Sequence, residues 1–189
     1  MSKIFLGDVT LVCGDADPGR KSMISKLFSG LEKEIQFADM IHYDKDINSI
    51  EEYNLFCSKK LNELVDTDYC MVVQWDGYPI NFSSWRSEFL DYDYIGAPWL
   101  LQPWTKDKTV GNGGFSIRSK RYLEQCALAD YDGSIPEDVF FCRVQKLDCS
   151  YAPIGVAYDF SVEDMPYKNQ FGFHGKATLE INKQMGIFA

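Results

Sequence analysis

The chain has 189 residues, of which 46% are apolar and 25% are charged, a balance that fits one soluble globular domain spanning residues 1–189. Its formal net charge of −9 disfavours general nucleic-acid binding, because an acidic surface repels phosphates. No window approaches the roughly 20 consecutive apolar residues of a membrane span, so we expect a cytoplasmic protein without one.

Basic residues cluster at two places, Lys59–Lys60 and Arg118–Arg121. The simplest interpretation of both clusters is a solvated helix face. The second cluster can alternatively form a local patch that binds nucleic acid despite the acidic total charge.

No two cysteines have the CxxC spacing of a zinc or thioredoxin-type redox site. Several lie within apolar runs, which predicts buried thiols. The six are Cys13, Cys57, Cys70, Cys126, Cys142 and Cys149.

The first half of the chain alternates strand patterns with helix patterns. The predicted elements are a strand at Thr10–Cys13, a helix at Arg20–Leu31, a strand at Ile35–Tyr43, a helix at Ile50–Val65 and a strand at Asp68–Trp75. This order predicts an α/β fold with a mixed, mainly parallel sheet and helices on both faces. The third strand is apolar almost throughout, so we expect it to be central and parallel.

Ligands of such sheets bind at the carboxyl ends of the strands. That rule selects three loops, Gly14–Gly19, Tyr43–Ile47 and Asp76–Pro79, and each of them contains Asp.

The second half is more irregular and rich in aromatic and turn residues. It predicts short strands at Tyr94–Gly96, Gly114–Ile117 and Tyr151–Pro153, a helix near Lys120–Leu128 and another that opens at Pro136. No linker separates the halves, so the chain is predicted to be one domain with divided labour.

Asp76 lies in the segment VVQWDGYPIN, directly after the buried third strand. A carboxylate at this edge of the sheet can hold Mn²⁺ or Mg²⁺, and the metal in turn a diphosphate. Alternatively, Asp76 caps a turn with Gly77. The residues leave both interpretations open.

Two further segments of the second half can carry chemistry. In VGNGGFSIRS, three glycines precede a strand and let the backbone approach a ligand closely, although the spacing is not that of a known phosphate loop. In IPEDVFFCR, Glu137 and Asp138 suit the first turn of a helix after Pro136. One of these carboxylates can instead serve as a general base.

His174 lies in QFGFHGK, on a predicted loop, whereas the other histidine, His42, ends the second strand. A single histidine is more often structural than a ligand. The nearby Lys176 would nevertheless suit a contact with a diphosphate or its metal.

Five segments, VVQWDGYPIN, DYDYIGAPW, GNGGFSIRS, PEDVFFC and FGFHG, occur in an order that resembles a family of glycosyltransferase-like domains of the GT-A type. The resemblance extends from about Thr10 to Gly175. It implies a GT-A-like (Rossmann-like) fold with a nucleotide-binding half of about residues 1–80 and an acceptor-binding, catalytic half of about residues 81–189. It further implies transfer of a sugar from a nucleotide-sugar donor, with a UDP-sugar as the expected donor.

The resemblance also implies residue roles on the donor side. GT-A enzymes bind metal and diphosphate through an Asp-x-Asp motif, but this chain has Gln74–Trp75–Asp76, with one carboxylate instead of two. The implied donor-binding residues are Asp15 and Asp17 at the base and ribose, Gln74 and Asp76 at the diphosphate, Gly113 and Gly114 beneath the sugar, and Lys176 beside the phosphates. The implied metal ligands are Asp76 and His174.

On the acceptor side, the resemblance implies that the acidic pair activates the acceptor hydroxyl, with Asp138 as the base and Glu137 in support. Asp138 is preferred because it lies further into the helix and is less suited to capping. Trp99, Trp104 and Asn112 are implied to contact the acceptor.

We therefore expect a metal-assisted, inverting transfer to a glycan, a small molecule, a protein or a modified nucleobase. A second hypothesis is an inactive GT-A-like module that binds a sugar or nucleotide, favoured by the single carboxylate of the QWD segment. A third is a nucleotidyltransferase, for which GDADPGRK is a poor match to the basic, Gly-rich phosphate loop. The oligomeric state is left open.

Overall fold

A computed structural model describes residues 3–99, 110–145 and 147–186. Within these ranges the chain forms a five-stranded sheet and a smaller three-stranded sheet. The strands are β1 (Ile4–Gly14), β2 (Ile35–Tyr43), β3 (Tyr69–Val72), β4 (Gly77–Pro79), β5 (Tyr94–Gly96), β6 (Ser116–Ser119), β7 (Ser161–Glu163) and β8 (Gly172–His174).

The α-helices of the described ranges are α1 (Lys21–Glu34), α2 (Ile50–Leu55), α3 (Leu61–Leu64), α4 (Lys120–Leu128), α5 (Glu137–Val139), α6 (Ile154–Phe160) and α7 (Lys176–Gln184). A π-helical turn joins α2 to α3, and another extends α5. Serine caps begin two of the helices, since Ser49 accepts from the Glu52 amide before α2 and Ser119 from the Tyr122 amide before α4. No helix in the described part of the chain is long and apolar enough to cross a membrane.

The large sheet has the strand order β2-β1-β3-β6-β5. β1 pairs in parallel with β2 and β3, whereas β6 is antiparallel to both β3 and β5. Four strands therefore run in one direction and β6 runs against them. The predicted α/β class and mixed sheet are confirmed. β3 is central as predicted, but it is parallel to β1 alone.

Helices cover both faces of this sheet, because alternate residues of a strand point to opposite sides. Leu11 of β1 belongs to one apolar core together with Ile24 of α1. The next residue, Val12, belongs to the other core together with Leu61 of α3 and Tyr122 of α4. The β-α-β-α-β order of the first half is thus as predicted.

The small sheet was not predicted and corrects two expectations. β8 pairs antiparallel with β4 and parallel with β7, and Gly77 lies opposite His174. The segment after Asp76 and the segment of His174 are therefore strands instead of loops. Three-residue strands give little periodic signal, and they form here because distant segments pair with each other.

The interpretation of the second basic cluster as a solvated face or patch is wrong. Arg118 is fully buried. The ammonium of Lys120 donates to the carbonyls of Asn62 and Val65 at 2.6 and 2.7 Å, where α3 ends. Arg121 is left as the exposed cation of this cluster.

Lys59 has a similar capping role, because its ammonium donates to the carbonyls of Ala127 and Ala129 at the end of α4. All six cysteines are free thiols, and all but Cys149 are buried, as their apolar surroundings predicted.

Candidate functional site

A cleft of about 680 Å³ opens at the carboxyl ends of β1 and β3. It contains residues from each of the three loops that the strand order selects. Its walls include Asp15, Asp17, Arg20, Ile47, Tyr53, Gln74, Trp75, Asp76 and Lys176. The structure thus brings together five of the predicted donor-binding residues, which come from both ends of the chain.

Asp15 and Asp17 organise the loop between β1 and α1. The Asp15 carboxylate accepts from the Asp17 amide and from the Arg20 guanidinium, each at 2.9 Å. Asp17 accepts from the Gly19 amide at 2.8 Å and pairs with Arg20 at 3.2 Å. Arg20 is therefore held at the cleft by two carboxylates, and Asp17 remains partly exposed at its wall.

Two cations lie over the indole ring of Trp75. The Arg20 guanidinium is 5.2 Å from the ring centroid and the Lys176 ammonium is 5.1 Å from it. Cations at this distance are attracted by the ring quadrupole, so Trp75 holds them at the cleft. Lys176 forms no ion pair with any residue that the structure describes, so its charge is available to an anion.

Asp76 is 8% exposed and borders the cleft. Its backbone carbonyl accepts from the Gly175 amide at 2.8 Å, which ties it to the start of α7. Within the described ranges its carboxylate has no hydrogen-bond or ion-pair partner. A buried carboxylate without a protein partner favours a cation or a ligand donor at this position.

His174 contacts an oxygen with each ring nitrogen. Nδ1 lies 2.9 Å from Oε1 of Glu163, and Nε2 lies 3.0 Å from Oε1 of Gln74. Burial alone would lower the pKa of His174, but the hydrogen bond and charge of Glu163 and the charges of Asp76 and Asp138 outweigh it and raise the pKa. These contacts suit an imidazolium that donates twice.

The donor set therefore does not fit a metal held jointly by Asp76 and His174. The ring nitrogens of His174 are engaged, and a metal ligand must offer a lone pair. Among the described residues, no group of three or more His, Cys, Asp or Glu side chains is arranged to hold a metal. Of the two predicted metal ligands, Asp76 is the one whose side chain has no partner among the described residues and can be used by a cation.

The glycine loop before β6 lies against this site. A Cβ at Gly114 would overlap the His174 ring, and a Cβ at Gly77 would lie 2.5 Å from the same ring. Glycine is required at both positions, because the imidazole fills the space where a side chain would begin. Gly114 is thus packed against the His174 ring, which contacts Gln74 of the cleft wall, and the position of Gly113 and Gly114 beneath a sugar stays a prediction.

Glu137 and Asp138 differ sharply in their surroundings. Glu137 is 3% exposed and forms a bidentate ion pair with Arg118 at 2.8 and 3.2 Å. It is therefore unavailable to an acceptor, and its support of Asp138 is structural. Asp138 is half-buried and accepts from the Gly113 amide at 3.0 Å and from the Val139 amide at 2.8 Å.

The pKa of Asp138 is raised to about 7. Burial is the largest cause, and the charge of Glu137 adds to it, whereas the amides of Gly113 and Val139 and the charge of Arg118 oppose the shift. A carboxylate with a pKa near neutrality can accept a proton and release it at similar cost.

The three residues predicted to contact the acceptor lie in different surroundings. Trp99 is half-buried, packs on Gly111 and lies beneath the Arg143 guanidinium, whose carbon is 4.2 Å from the ring centroid. Asn112 is 3% exposed and accepts from the Gly114 amide, so the prediction that it contacts an acceptor is corrected to a role inside the loop. Trp104 lies outside the described residues.

The sequence reasoning missed Arg20, Trp75, Arg118 and Glu163. Arg20 directly follows the Gly14–Gly19 loop and Trp75 directly precedes the Asp76–Pro79 loop, so a cation and a ring beside Asp15, Asp17 and Asp76 were a usable signal. Arg118 follows Ile117 on β6, so their side chains point to opposite faces of the sheet. The sequence alone does not show that both of these faces are buried. For Glu163 the sequence offers no signal, because its partner is set by the pairing of β7 with β8.

The fold and the cleft define an α/β protein with a polar cleft at the carboxyl edge of a mixed sheet. The chain belongs to the DUF5672 family, described as a protein of unknown function, whose model matches residues 37–174. The matched segment contains Gln74, Asp76, Asp138 and His174.

A search of curated proteins finds no match to this chain. A solved structure titled "Crystal Structure of A197 from STIV" is similar over 72% of this chain and 76% of that chain, with 19% sequence identity and a TM-score of 0.45. A likeness of this degree supports no conclusion about function.

Proposed function

We propose that this protein is a glycosyltransferase of GT-A type that moves a sugar from a nucleotide-sugar donor, in first place a UDP-sugar, to a hydroxyl acceptor. The observation that carries the proposal is Asp138, a carboxylate with a pKa raised to about 7 that accepts from the amide of Gly113, next to the Gly114 that packs on the His174 ring. Direct sugar transfer requires a polar cleft that holds the donor and a base with a pKa near neutrality that takes the proton of the acceptor hydroxyl.

In the proposed reaction the acceptor oxygen attacks the anomeric carbon of the donor sugar. The new carbon–oxygen bond forms as the bond from that carbon to the diphosphate breaks, and the nucleoside diphosphate leaves with the bonding electrons. Asp138 takes the hydroxyl proton from the acceptor. A single displacement of this kind inverts the anomeric configuration.

The leaving diphosphate gains negative charge, which the cleft can balance with its own cations. Lys176 and Arg20 flank Trp75 on the cleft wall, and α7 begins at Lys176 with its amide groups directed outward. Charges held in place before the reaction stabilise the leaving group without reorganisation.

A divalent cation, Mn²⁺ or Mg²⁺, would be held by the Asp76 carboxylate, with ligand oxygens and water completing its shell. Bound there, it would neutralise phosphate charge. Asp76 fits this role because its carboxylate has no protein partner in the described ranges, and His174 is assigned to the protein scaffold instead.

A second candidate is a module that binds a nucleotide or a sugar without transferring it. The single carboxylate of the QWD segment favours this alternative. The acceptor of the proposed transferase, whether a glycan, a small molecule, a protein or a modified nucleobase, is the part that the candidate site defines least.

The test is release of UDP from UDP-glucose and other UDP-sugars, with water as the acceptor, in the presence of manganese. A transferase is expected to release UDP slowly, and Asp138→Asn is expected to abolish the release while leaving UDP binding intact. Binding of UDP without any release in the wild type supports the binding module. If the protein neither binds any nucleotide-sugar nor releases a nucleotide from it, both the transferase and the binding module are refuted.

A further inference from the structure

Arg118 is a fully buried cation that contacts Glu137, the glycine loop, Ser116 and Tyr94. Nη1 and Nη2 donate to the Glu137 carboxylate, and Nη2 also donates to the Gly113 carbonyl at 3.1 Å. Nε donates to Ser116 Oγ at 3.1 Å, and the guanidinium lies over the Tyr94 ring at 5.6 Å. A buried charge is tolerated because it is paired and bonded in this way.

Three carbonyls of the glycine loop, those of Gly111, Asn112 and Gly113, accept hydrogen bonds from buried side chains around Arg118. The Tyr94 hydroxyl donates to the carbonyls of Gly111 and Asn112 at 3.1 and 2.9 Å. The Gly113 carbonyl accepts from Ser116 Oγ at 3.0 Å as well as from Arg118. Three consecutive carbonyls are therefore fixed on one side of the loop.

Fixing the carbonyls also fixes the amides, since the C=O and N–H of a trans peptide point in opposite directions. With the Asn112 carbonyl held by Tyr94, the amide of Gly113 points the other way, where it donates to Asp138 Oδ2 at 3.0 Å. The fit is close, because a Cβ at Gly113 would overlap the Glu137 carboxylate and lie 2.9 Å from Arg118 Nη2.

We propose that Tyr94 and Arg118 are positioning residues, which fix the peptides on either side of Gly113 so that the Gly113 amide holds the Asp138 carboxylate in place. This inference rests on the proposed function, in which Asp138 is the base. Tyr94 and Arg118 are too deeply buried to touch a substrate, so they act on Asp138 through the peptides on either side of Gly113, and Arg118 acts also through its charge.

The positioning has a measurable signature at Asp138. The Gly113 amide stabilises the ionised carboxylate and so opposes the upward shift caused by burial. Losing that hydrogen bond is expected to raise the pKa of Asp138 further above about 7. A residue that only stabilised the fold would leave this pKa unchanged.

Two variants test the inference in the full chain. Tyr94→Phe removes only the hydroxyl that holds the two carbonyls. Arg118→Lys keeps the charge that faces Glu137 but loses the planar fork that also reaches Gly113. Matched controls are Tyr92→Phe and Arg121→Lys, whose side chains take no part in this network. If Arg118→Lys does not fold, the measurements on Tyr94→Phe decide whether the positioning role holds.

The first readout is the pKa of Asp138, from titration of its carboxyl carbon by NMR in the protein without ligand. The second is UDP release from UDP-glucose together with the affinity for UDP. Both variants are expected to raise the pKa and to slow release about 10- to 100-fold, with little change in UDP affinity, because small displacements of a catalytic group are costly. The controls are expected to match the wild type.

An unchanged pKa in a folded Tyr94→Phe variant, with release at the wild-type rate, would overturn the positioning role and leave the proposed function intact. If the wild type releases no UDP from any UDP-sugar, the proposed function fails instead. The NMR titration still decides in that case whether Tyr94 and Arg118 orient Asp138.

Discussion

His174 Nε2 lies 3.0 Å from the amide oxygen of Gln74, and this contact joins the end of β8 to the segment that follows β3. In the proposed GT-A arrangement, Gln74 would stand where the first carboxylate of the metal motif is expected. An amide oxygen accepts a hydrogen bond from a charged imidazole without adding a second negative charge. Gln74 therefore holds the His174 ring at this position by a hydrogen bond.

We predict that the stability lost in His174→Gln depends on pH. Because the folded-state pKa of His174 is raised, its contribution is fully present below the unfolded pKa of about 6.5 and is lost as pH rises through the folded value. Urea unfolding of wild type and variant at several pH values measures the difference, with His42→Gln as the control. A difference that does not vary with pH would contradict an imidazolium at this position.

We predict that Asp76→Asn keeps the fold but loses stabilisation by UDP that depends on manganese. The Asp76 carboxylate has no hydrogen-bond or ion-pair partner among the described residues, so the folded protein tolerates the loss of its charge. A bound cation, in contrast, loses its charged ligand. Thermal shifts with UDP, with and without manganese or a chelator, make the measurement. Metal-dependent stabilisation equal to that of the wild type would remove Asp76 from the site.

We predict that Lys176→Gln weakens UDP binding about 10- to 100-fold and uridine binding hardly at all. A charge-assisted contact with phosphate contributes roughly 1.5–3 kcal/mol, and uridine carries no phosphate. Isothermal titration with both ligands separates the two effects. Lys183→Gln, an exposed lysine at the far end of the same helix, is the matched control. Equal losses for both ligands would place Lys176 away from the diphosphate.

We predict that Asp138→Asn lowers UDP release by about 10²- to 10⁴-fold with donor affinity unchanged, as expected for a lost general base. Glu137→Gln is the comparison, and it is expected to act mainly on stability, because it leaves Arg118 buried without its charged partner. Release rates, UDP affinity and unfolding curves of both variants distinguish the roles. Near-native release by Asp138→Asn would end its assignment as the base.

We also predict opposite pH effects of Asp138 on rate and on stability. Release by the wild type should rise with pH and level off above about 7, where the carboxylate is ionised. Because the folded state favours the neutral carboxyl, the contribution of Asp138 to stability falls as pH rises from about 4 to about 7. Asp138→Asn should therefore gain stability relative to the wild type over that range, measured by urea unfolding. A difference in stability between variant and wild type that does not change with pH would show that the pKa of Asp138 is not raised.

Local patterns were sufficient for the strands and helices that bury a repeating apolar face. The bounds of β2, β5 and α4 agree with the sequence prediction, and the helix predicted from Ile50 to Val65 is present as α2, a π-helical turn and α3. The rule that ligands lie at strand ends also selected the loops that line the cleft. Periodicity and strand order are properties of neighbouring residues, so they can be read from the sequence.

Tertiary structure alone decided which polar groups are free. The sequence places Glu137 next to Asp138, yet only the fold shows that the first pairs with buried Arg118 and that the second accepts from the Gly113 amide. Likewise, His174 was expected on a loop with a free ring nitrogen, but pairing of β8 with β4 and β7 brings Gln74 and Glu163 to it. Burial and charge pairing depend on contacts between residues far apart in the chain, and these contacts set the state of each ionisable group.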